Sequence, residues 1–204
     1  LPSSEYNKPL IIDFPGHGDS KGFSSNRIES YSKFLVDSLA AHDLKDISLC
    51  GHSMGGLVAL DMVAKHKHSV KSLILVNSIY PTRVADALIA KAKTGNGQAA
   101  DFSIKYGLHR RLLGLKNAFS HGDEPVMLND LEACNDYQLD INELKNLRIS
   151  ISIILGSKDR LVDLKAVEKF TDVVPSQIYT MEEVGHFSFF EDPEKLSKLI
   201  SEIA

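Results

Sequence analysis

Short apolar runs alternate along much of the chain with longer segments in which apolar residues recur at helical spacing. The runs predict five strands: Pro9 to Phe14, Asp46 to Cys50, Lys71 to Asn77, Ile149 to Leu155 and Gln177 to Met181. Because four apolar residues follow one another in the third run, we expect that strand to be buried on both faces of a sheet. Strands that alternate with helices predict an α/β fold, with a mainly parallel sheet flanked by helices.

The segments between these runs predict amphipathic helices. The predicted helices of the alternating part cover Ser25 to about Leu44, Ser53 to Lys67, Asp163 to Val173 and Asp192 to Ile203. The last helix has a favourable start, because Asp192 supplies a capping acceptor and Pro193 fits the first helical position. Asp163, at the start of the preceding predicted helix, is also interpreted as a helix cap.

The alternation stops between Pro81 and about Leu147, where the pattern is helical or loop-like. A first helix is predicted over Ala85 to Lys93, and a second helix ends at about Tyr106. Further helical pieces are predicted over Met127 to Tyr137 and over Asn142 to Leu147. We therefore interpret residues 81–147 as an all-helical insertion. Residues 1–80 and 148–204 then form the two parts of one core domain.

Composition narrows the class of protein. The 204 residues are 43% hydrophobic and 25% charged, which is typical of one globular domain with a substantial core. The net charge of -4, with scattered lysines and arginines, lacks the basic footprint of a nucleic-acid-binding protein. No apolar run approaches the roughly 20 residues of a membrane span, so no membrane association is expected.

The two cysteines do not form a disulfide framework. Cys50 belongs to a predicted buried strand, and Cys134 lies far along the chain in a predicted helix. This usage favours a reducing compartment, and we expect a cytoplasmic protein. Because the chain opens at Leu1 rather than at methionine, the presence of a signal peptide upstream stays open.

A small-residue turn, Cys50-Gly51-His52-Ser53-Met54-Gly55-Gly56, connects the second predicted strand to the next helix. A serine at this bend lies beside a helix N-terminus, where amide donors and the helix dipole favour negative charge. We expect Gly51 and Gly55 to be required, because a Cβ would obstruct so tight a turn. Ser53 is therefore a candidate nucleophile.

A serine nucleophile needs a base, and the base needs an orienting carboxylate. His186 follows the last predicted strand directly, and Asp159 follows the strand before it. Because ligands and catalytic groups gather at the carboxyl ends of parallel strands, these two residues are the candidate base and acid. The histidines interpreted as loop, turn or helix-surface residues are His17, His52, His66, His68, His109 and His121.

The sequence has no motif typical of a nucleotide-binding site or a metal site. The chain has no phosphate-binding G-x-x-x-x-G-K-[ST] loop, and the turn glycines do not fit G-x-G-x-x-G. His66 and His68 are two residues apart on a predicted helix end, which is a poor spacing for two metal ligands. We expect neither a metal nor a cofactor.

From about Leu10 to its C-terminus, the chain resembles the α/β-hydrolase superfamily, and within it the group that carries a helical cap. The resemblance rests on four motifs in the family's order: Asp13 to Ser20, Gly51 to Gly56, Gly156 to Val162, and Gly185-His186 with Glu191-Asp192-Pro193 after it.

The resemblance implies Ser53 as nucleophile, His186 as general base and later acid, and Asp159 as the residue that orients it. It also implies that the Met54 backbone N–H is one donor of the oxyanion hole. Residues 81–147 would form the cap over the pocket.

The family's first three strands, and the His-Gly loop that supplies its second oxyanion donor, have no counterpart in this sequence. We therefore expect the chain to be part of a longer hydrolase that is incomplete at its N-terminus. Loss of one oxyanion donor costs about 3 to 4 kcal/mol of transition-state stabilisation, so this fragment alone is expected to be inactive or weakly active.

The implied activity is hydrolysis of a small ester or thioester through an acyl-enzyme on Ser53, with no nucleic-acid partner. From their positions beside the three residues, we expect the substrate to contact Ile79, Tyr80, Leu161 and Phe187. The resemblance also leaves open a cofactor-free C–C bond hydrolase or a perhydrolase, since such members of the family use the same three residues. A ligand receptor that keeps the fold without turnover is a further alternative, and the oligomeric state stays open.

Overall fold

The computed structural model describes residues 9–66, 70–110, 124–145 and 147–204 of the chain. A four-stranded, wholly parallel sheet forms its centre. Its spatial order follows the chain: β1 (Ile47–His52), β2 (Val70–Val76), β3 (Ser150–Gly156) and β4 (Gln177–Met181). The predicted α/β fold with a mainly parallel sheet is therefore confirmed.

Helices flank the sheet and fill the connection between β2 and β3. Those of the alternating part are α1 (Ile28–Ala41), α2 (Met54–Lys65), α6 (Leu164–Thr171), α7 (Ser188–Glu191) and α8 (Pro193–Ile203). Those between β2 and β3 are α3 (Asp86–Ala92), α4 (Gln98–Gly107), α5 (Glu124–Asp136) and a 3-10 turn (Ile141–Leu144). The predicted end of the second helix at Lys67 lies outside the described residues, as do His68 and His121.

The central strands are buried on both faces of the sheet, and successive side chains point to opposite faces. Leu73 and Leu75 of β2 pack into the main core, which also contains the buried residues of α1 and α2. Ile74 and Val76 point to the opposite face and pack into a smaller cluster with Leu196 of α8. Layers on both faces fix the sheet, and with it the loops at its carboxyl edge.

The prediction of a strand from Pro9 to Phe14 is wrong. These residues form no ladder, since β1 pairs with β2 and no described segment pairs with its other edge. Leu10 and Ile11 are 57% and 83% exposed, whereas Ile12 and Phe14 pack partly against the core. An apolar run becomes a strand only where a neighbour accepts its backbone hydrogen bonds.

The burial expected for Cys50 is also wrong. Its strand β1 lies at the end of the described sheet, and the Cys50 side chain is exposed while Leu49 and Gly51 are buried. Cys134, on α5, is buried. An end strand lacks the cover that a central strand receives, so its apolar composition does not guarantee burial.

Both predicted aspartate caps are present. The Asp163 side chain accepts a hydrogen bond from the Lys165 amide at the start of α6, and Asp192 accepts one from the Lys195 amide of α8. These caps fix where the helices after β3 and β4 begin. None of the helices in the described part of the chain is both long and apolar enough to cross a membrane.

Candidate active site

Ser53 lies on a sharp bend between the end of β1 and the start of α2. Its backbone has φ 50° and ψ −120°, a conformation that L-residues rarely adopt outside constrained sites. Gly51 permits the bend, because a Cβ there would overlap the carbonyl group of Gly55. The bend exposes the Ser53 hydroxyl at the carboxyl edge of the sheet.

Gly55 does not have the role expected from the sequence. A Cβ at Gly55 would meet no atom within 4 Å. Gly56 is the second glycine that close packing requires, since a Cβ there would overlap the side chain of Ser78. The Ser78 hydroxyl in turn donates a hydrogen bond to the Ser53 carbonyl oxygen at 2.7 Å, which holds the bend from the β2 side.

Ser53, His186 and Asp159 form one chain of hydrogen bonds. His186 Nε2 lies 3.0 Å from Ser53 Oγ, and His186 Nδ1 lies 2.8 Å from Asp159 Oδ2. The side chains of His186 and Asp159 are only 7% and 3% exposed. With the proton on Nδ1, the imidazole donates to Asp159 and presents the Nε2 lone pair to the serine hydroxyl. This arrangement can remove a proton from Ser53.

Hydrogen bonding keeps Asp159 ionised. Burial acts to raise its pKa, but the contact with His186, the amides of Leu161 and Val162, and Asn77 together hold the pKa of Asp159 below its usual value. The two amides bind Oδ1 at 2.7 Å and 3.2 Å, which leaves Oδ2 directed at His186. A carboxylate held in this way fixes the tautomer of the imidazole.

His52 contacts both the backbone and the imidazole ring of His186. Burial, together with the nearby His186, lowers the pKa of His52 to about 3, so its imidazole is neutral at physiological pH. His52 Nε2 lies 2.8 Å from the backbone oxygen of His186, an acceptor, and therefore carries the ring proton and donates it. The two rings also meet edge to face, with centroids 4.9 Å apart.

Asn77 is a site residue that sequence reasoning missed. It follows β2 with φ 47°, and its Nδ2 donates to Asp159 Oδ2 at 2.8 Å and to the Gly185 carbonyl at 3.3 Å. Its Oδ1 accepts a hydrogen bond from the Ser188 hydroxyl at 2.9 Å. A polar residue directly after a buried strand, at the same edge as Ser53, was the available signal.

A cavity of about 350 Å³ opens at Ser53 and His186. Ile79 and Leu161, two of the side chains expected to contact substrate, line it. Most of its other lining residues are apolar, and several come from the segment between β2 and β3: Val84, Leu88, Leu131 and Cys134. The cavity therefore lies between the sheet edge and the helical insertion.

Tyr80 and Phe187, the other two side chains expected to contact substrate, are not among the residues that line this cavity. The Tyr80 hydroxyl accepts a hydrogen bond from the Leu139 amide, and its ring packs edge to face on Tyr137. Phe187 packs against His186 and fills the space over Gly107, where a Cβ would overlap its ring. Both rings pack against neighbouring side chains, and their contact with substrate stays a prediction.

Met54 is the first residue of α2, so its amide has no acceptor within the helix. This N–H lies next to Ser53 in sequence, at the positive end of the helix dipole.

In the part of the chain that the structure describes, no group of three or more His, Cys, Asp or Glu residues is arranged to hold a metal ion.

Comparisons with known proteins agree with this architecture. The chain is 26% identical over 215 residues to the pimeloyl-(acyl-carrier protein) methyl ester esterase of Aromatoleum aromaticum, covering 93% of this chain and 84% of the esterase. It is 26% identical over 210 residues to 3-oxoadipate enol-lactonase 1 of Acinetobacter baylyi, covering 97% of this chain and 78% of the lactonase. Among solved structures, an esterase from Exiguobacterium antarcticum has the same fold, with a TM-score of 0.83 and 21% identity over 94% of this chain and 79% of that one. The sequence profile of the Alpha/beta hydrolase family matches residues 4–199, and the chain therefore belongs to that family.

Proposed function

We propose that this protein is a serine hydrolase that cleaves a small ester or thioester through an acyl-enzyme on Ser53. The observation that carries the proposal is the unbroken chain of hydrogen bonds from Ser53 Oγ through His186 to Asp159. A serine hydroxyl is a weak nucleophile until a base accepts its proton, and His186 Nε2 is 3.0 Å from that hydroxyl oxygen.

In the first half of the reaction, Ser53 Oγ attacks the acyl carbon while His186 Nε2 accepts the serine proton. The Met54 amide donates a hydrogen bond to the oxyanion of the tetrahedral intermediate. His186 then gives the proton to the leaving alcohol or thiol, and the acyl group stays on Ser53. In the second half, a water oxygen attacks the acyl carbon while His186 Nε2 accepts a proton from that water. His186 then returns the proton to Ser53 Oγ as the bond between Oγ and the acyl carbon breaks and the acid departs.

The cavity supports an acyl substrate of modest size. Its lining is mainly apolar, and its volume of about 350 Å³ lies at the small end of ligand pockets. Leu88 of α3 and Leu131 of α5 line it together with Ile79 and Leu161, which follow β2 and β3 in the chain. We propose that residues 81–147 act as a cap that excludes water and selects the acyl group. The relatives named as esterase and enol-lactonase act on ester bonds by those names, which agrees with this substrate class.

The proposal is tested on the full-length protein with a panel of p-nitrophenyl esters of increasing acyl length and with a fluorophosphonate probe. We expect turnover of short esters and covalent labelling at Ser53, identified by mass spectrometry of the modified peptide. Ser53→Ala is expected to lower kcat by about 1000-fold or more and to abolish labelling. Ser150→Ala is the matched control, because Ser150 is exposed at the start of β3. Labelling or turnover that survives Ser53→Ala would overturn the proposal.

A further inference from the structure

The end of α4 contacts both loops that carry the candidate base and acid. This end, defined as residues 105–110, closes the helix that runs from Gln98 to Gly107. The backbone N–H of His186 donates to the Gly107 carbonyl oxygen at 2.6 Å. Gly185 allows this approach, since a Cβ there would overlap the same carbonyl oxygen. The helical insertion therefore touches the backbone of His186 itself.

The Glu191 carboxylate connects the α4 end to the His186 loop through hydrogen bonds. Its carboxylate is part of a residue only 7% exposed, and it accepts three backbone hydrogen bonds. Oε1 accepts from Gly185 at 2.9 Å, and Oε2 accepts from His109 at 3.0 Å and from Arg110 at 2.9 Å. Charge-assisted bonds of this kind are about twice as strong as neutral ones. One buried carboxylate thus joins the residue before His186 to the residues after α4.

The Arg160 guanidinium connects the same helix end to the Asp159 loop through hydrogen bonds. Its Nη2 donates to the carbonyls of Lys105 at 2.8 Å and Leu108 at 3.2 Å, and its Nε donates to that of Tyr106 at 3.2 Å. These carbonyls lie in the last turn, where helix groups lack intrahelical donors and the dipole favours a cation. Arg160 directly follows Asp159 in sequence, so the α4 end is bound to both loops.

We propose that Arg160 and Glu191 are positioning residues for the hydrolytic reaction: they hold the α4 end against the two loops and thereby align His186 with Ser53 and Asp159. This inference rests on the proposed function for its kinetic consequence. His186 is fixed at its backbone oxygen by His52, at its backbone nitrogen by Gly107 and at Nδ1 by Asp159. One of these three restraints comes from the insertion.

The expected size of the effect follows from geometry. A catalytic group displaced by about 1 Å can lose on the order of 100-fold in rate. Release of the Gly107 contact leaves the His186 side chain chemically intact but frees its backbone on one side. Glu191 and the α4 end are not among the residues that line the substrate cavity, so substrate binding should change little in Glu191→Gln; Arg160 lines the cavity, and its replacement can change KM as well. A loss of kcat without a matching rise in KM is the signature of this role.

The test compares Glu191→Gln and Arg160→Gln with matched controls in the full-length protein. In Glu191→Gln the amide NH₂ must face either Gly185 or the His109 and Arg110 amides, so donor meets donor on one side. We expect kcat per fluorophosphonate-titrated site to fall about 10- to 100-fold in both variants. KM should stay within about twofold in Glu191→Gln, which therefore carries the comparison of kcat with KM, because Arg160 also lines the cavity. Glu194→Gln and Arg148→Gln, at exposed positions, are expected to leave kcat unchanged.

Arg160 is exposed, so its replacement by Gln or Lys keeps the fold even where Glu191→Gln does not. Arg160→Lys is expected to retain part of the rate, because one ammonium can reach a carbonyl but cannot bridge three. The double variant tests the shared partner: if both residues act through the α4 end, their losses are not additive. Unchanged kcat in both single variants, or fully additive losses, would overturn the proposal.

A readout without substrate separates this inference from the proposed function. The Nδ1 proton shared between His186 and Asp159 should give a low-field ¹H NMR signal in the wild type, whether or not an ester is turned over. Loss or broadening of that signal in Glu191→Gln and Arg160→Gln, but not in the controls, supports positioning even if the esters are not hydrolysed. A signal and a kcat that both persist would refute positioning while the serine hydrolase assignment stands.

Discussion

His17 Nε2 and Asp130 Oδ2 lie 2.7 Å apart, and this contact joins the loop before α1 to helix α5 of the insertion. The hydroxyl of the buried Tyr31 donates to the other oxygen of Asp130 at 2.8 Å. Asp130 therefore accepts hydrogen bonds from two residues that precede β1 in the chain. It adjoins Leu131, which lines the cavity, so the contact helps to fix one wall of the pocket.

The His17–Asp130 contact predicts a pH-dependent stability. The hydrogen bond to Asp130 raises the pKa of His17 above its usual 6.5, against the opposing effect of burial. A histidine pKa raised by folding stabilises the protein fully below the unfolded value, and this contribution is lost as pH rises through the folded value. We expect the free energy of unfolding to fall above pH 6.5 by at most about 1 kcal/mol from this pair, since it is partly exposed.

Urea unfolding at about pH 5.5 and about pH 8.5 measures this change, because the two values lie on either side of a histidine titration. His17→Gln is expected to remove that part of the pH dependence, whereas His42→Gln, at an exposed position after α1, keeps it. An identical pH dependence in the wild type and His17→Gln would contradict the prediction.

Replacement of Asp159 by asparagine is expected to lower kcat by about 1000- to 10,000-fold. Asp159 Oδ2 accepts from both His186 Nδ1 and Asn77 Nδ2, and an amide NH₂ at that position could accept from neither. The imidazole would then favour the tautomer with its proton on Nε2, which cannot act as a base toward Ser53. Steady-state hydrolysis of a p-nitrophenyl ester measures the loss, with the exposed Asp172→Asn as control. Retention of more than about a tenth of kcat would contradict the role of Asp159.

Gly51→Ala and Gly55→Ala are expected to differ, although both residues belong to the same short motif. A Cβ at Gly51 would overlap the Gly55 carbonyl, so Gly51→Ala should destabilise the protein by about 1 to 3 kcal/mol. Gly55 has no atom within 4 Å of a Cβ, and alanine there gains helix propensity of up to about 1 kcal/mol. Urea midpoints of the two variants measure the contrast, and equal destabilisation would be inconsistent with this bend.

Asn77 combines a strained backbone with a network of buried hydrogen bonds, and two variants separate these effects. Asn77→Gly and Asn77→Ala both leave the Gly185 carbonyl and the Ser188 hydroxyl without their partner, at a cost of about 1 to 3 kcal/mol per buried group. Alanine at φ 47° adds about 1 kcal/mol of backbone strain that glycine avoids. Denaturant unfolding should therefore rank Asn77→Ala as less stable than Asn77→Gly. The reverse order would contradict the strain argument.

Local patterns predicted most of the elements correctly. The apolar runs of β2 and β3, the helical spacing of α1 and the caps at Asp163 and Asp192 each depend on residues close in sequence. The same reasoning failed for Pro9 to Phe14, because an apolar run needs a partner strand and sequence alone does not supply one. Nor did it anticipate that the Tyr80 ring packs against Tyr137.

The sequence by itself determined which residues follow each parallel strand, and therefore which side chains reach one edge of the sheet. Ser53, Asp159 and His186 were predicted there on that ground, and their catalytic roles stay a proposal. Only the tertiary structure decided that Asn77 and Glu191 bind the groups around His186. The physical reason is that these contacts join backbone amides and carbonyls of segments far apart in sequence, and every residue carries such groups. No pattern of side chains marks which amides will meet a given carboxylate until the chain has folded.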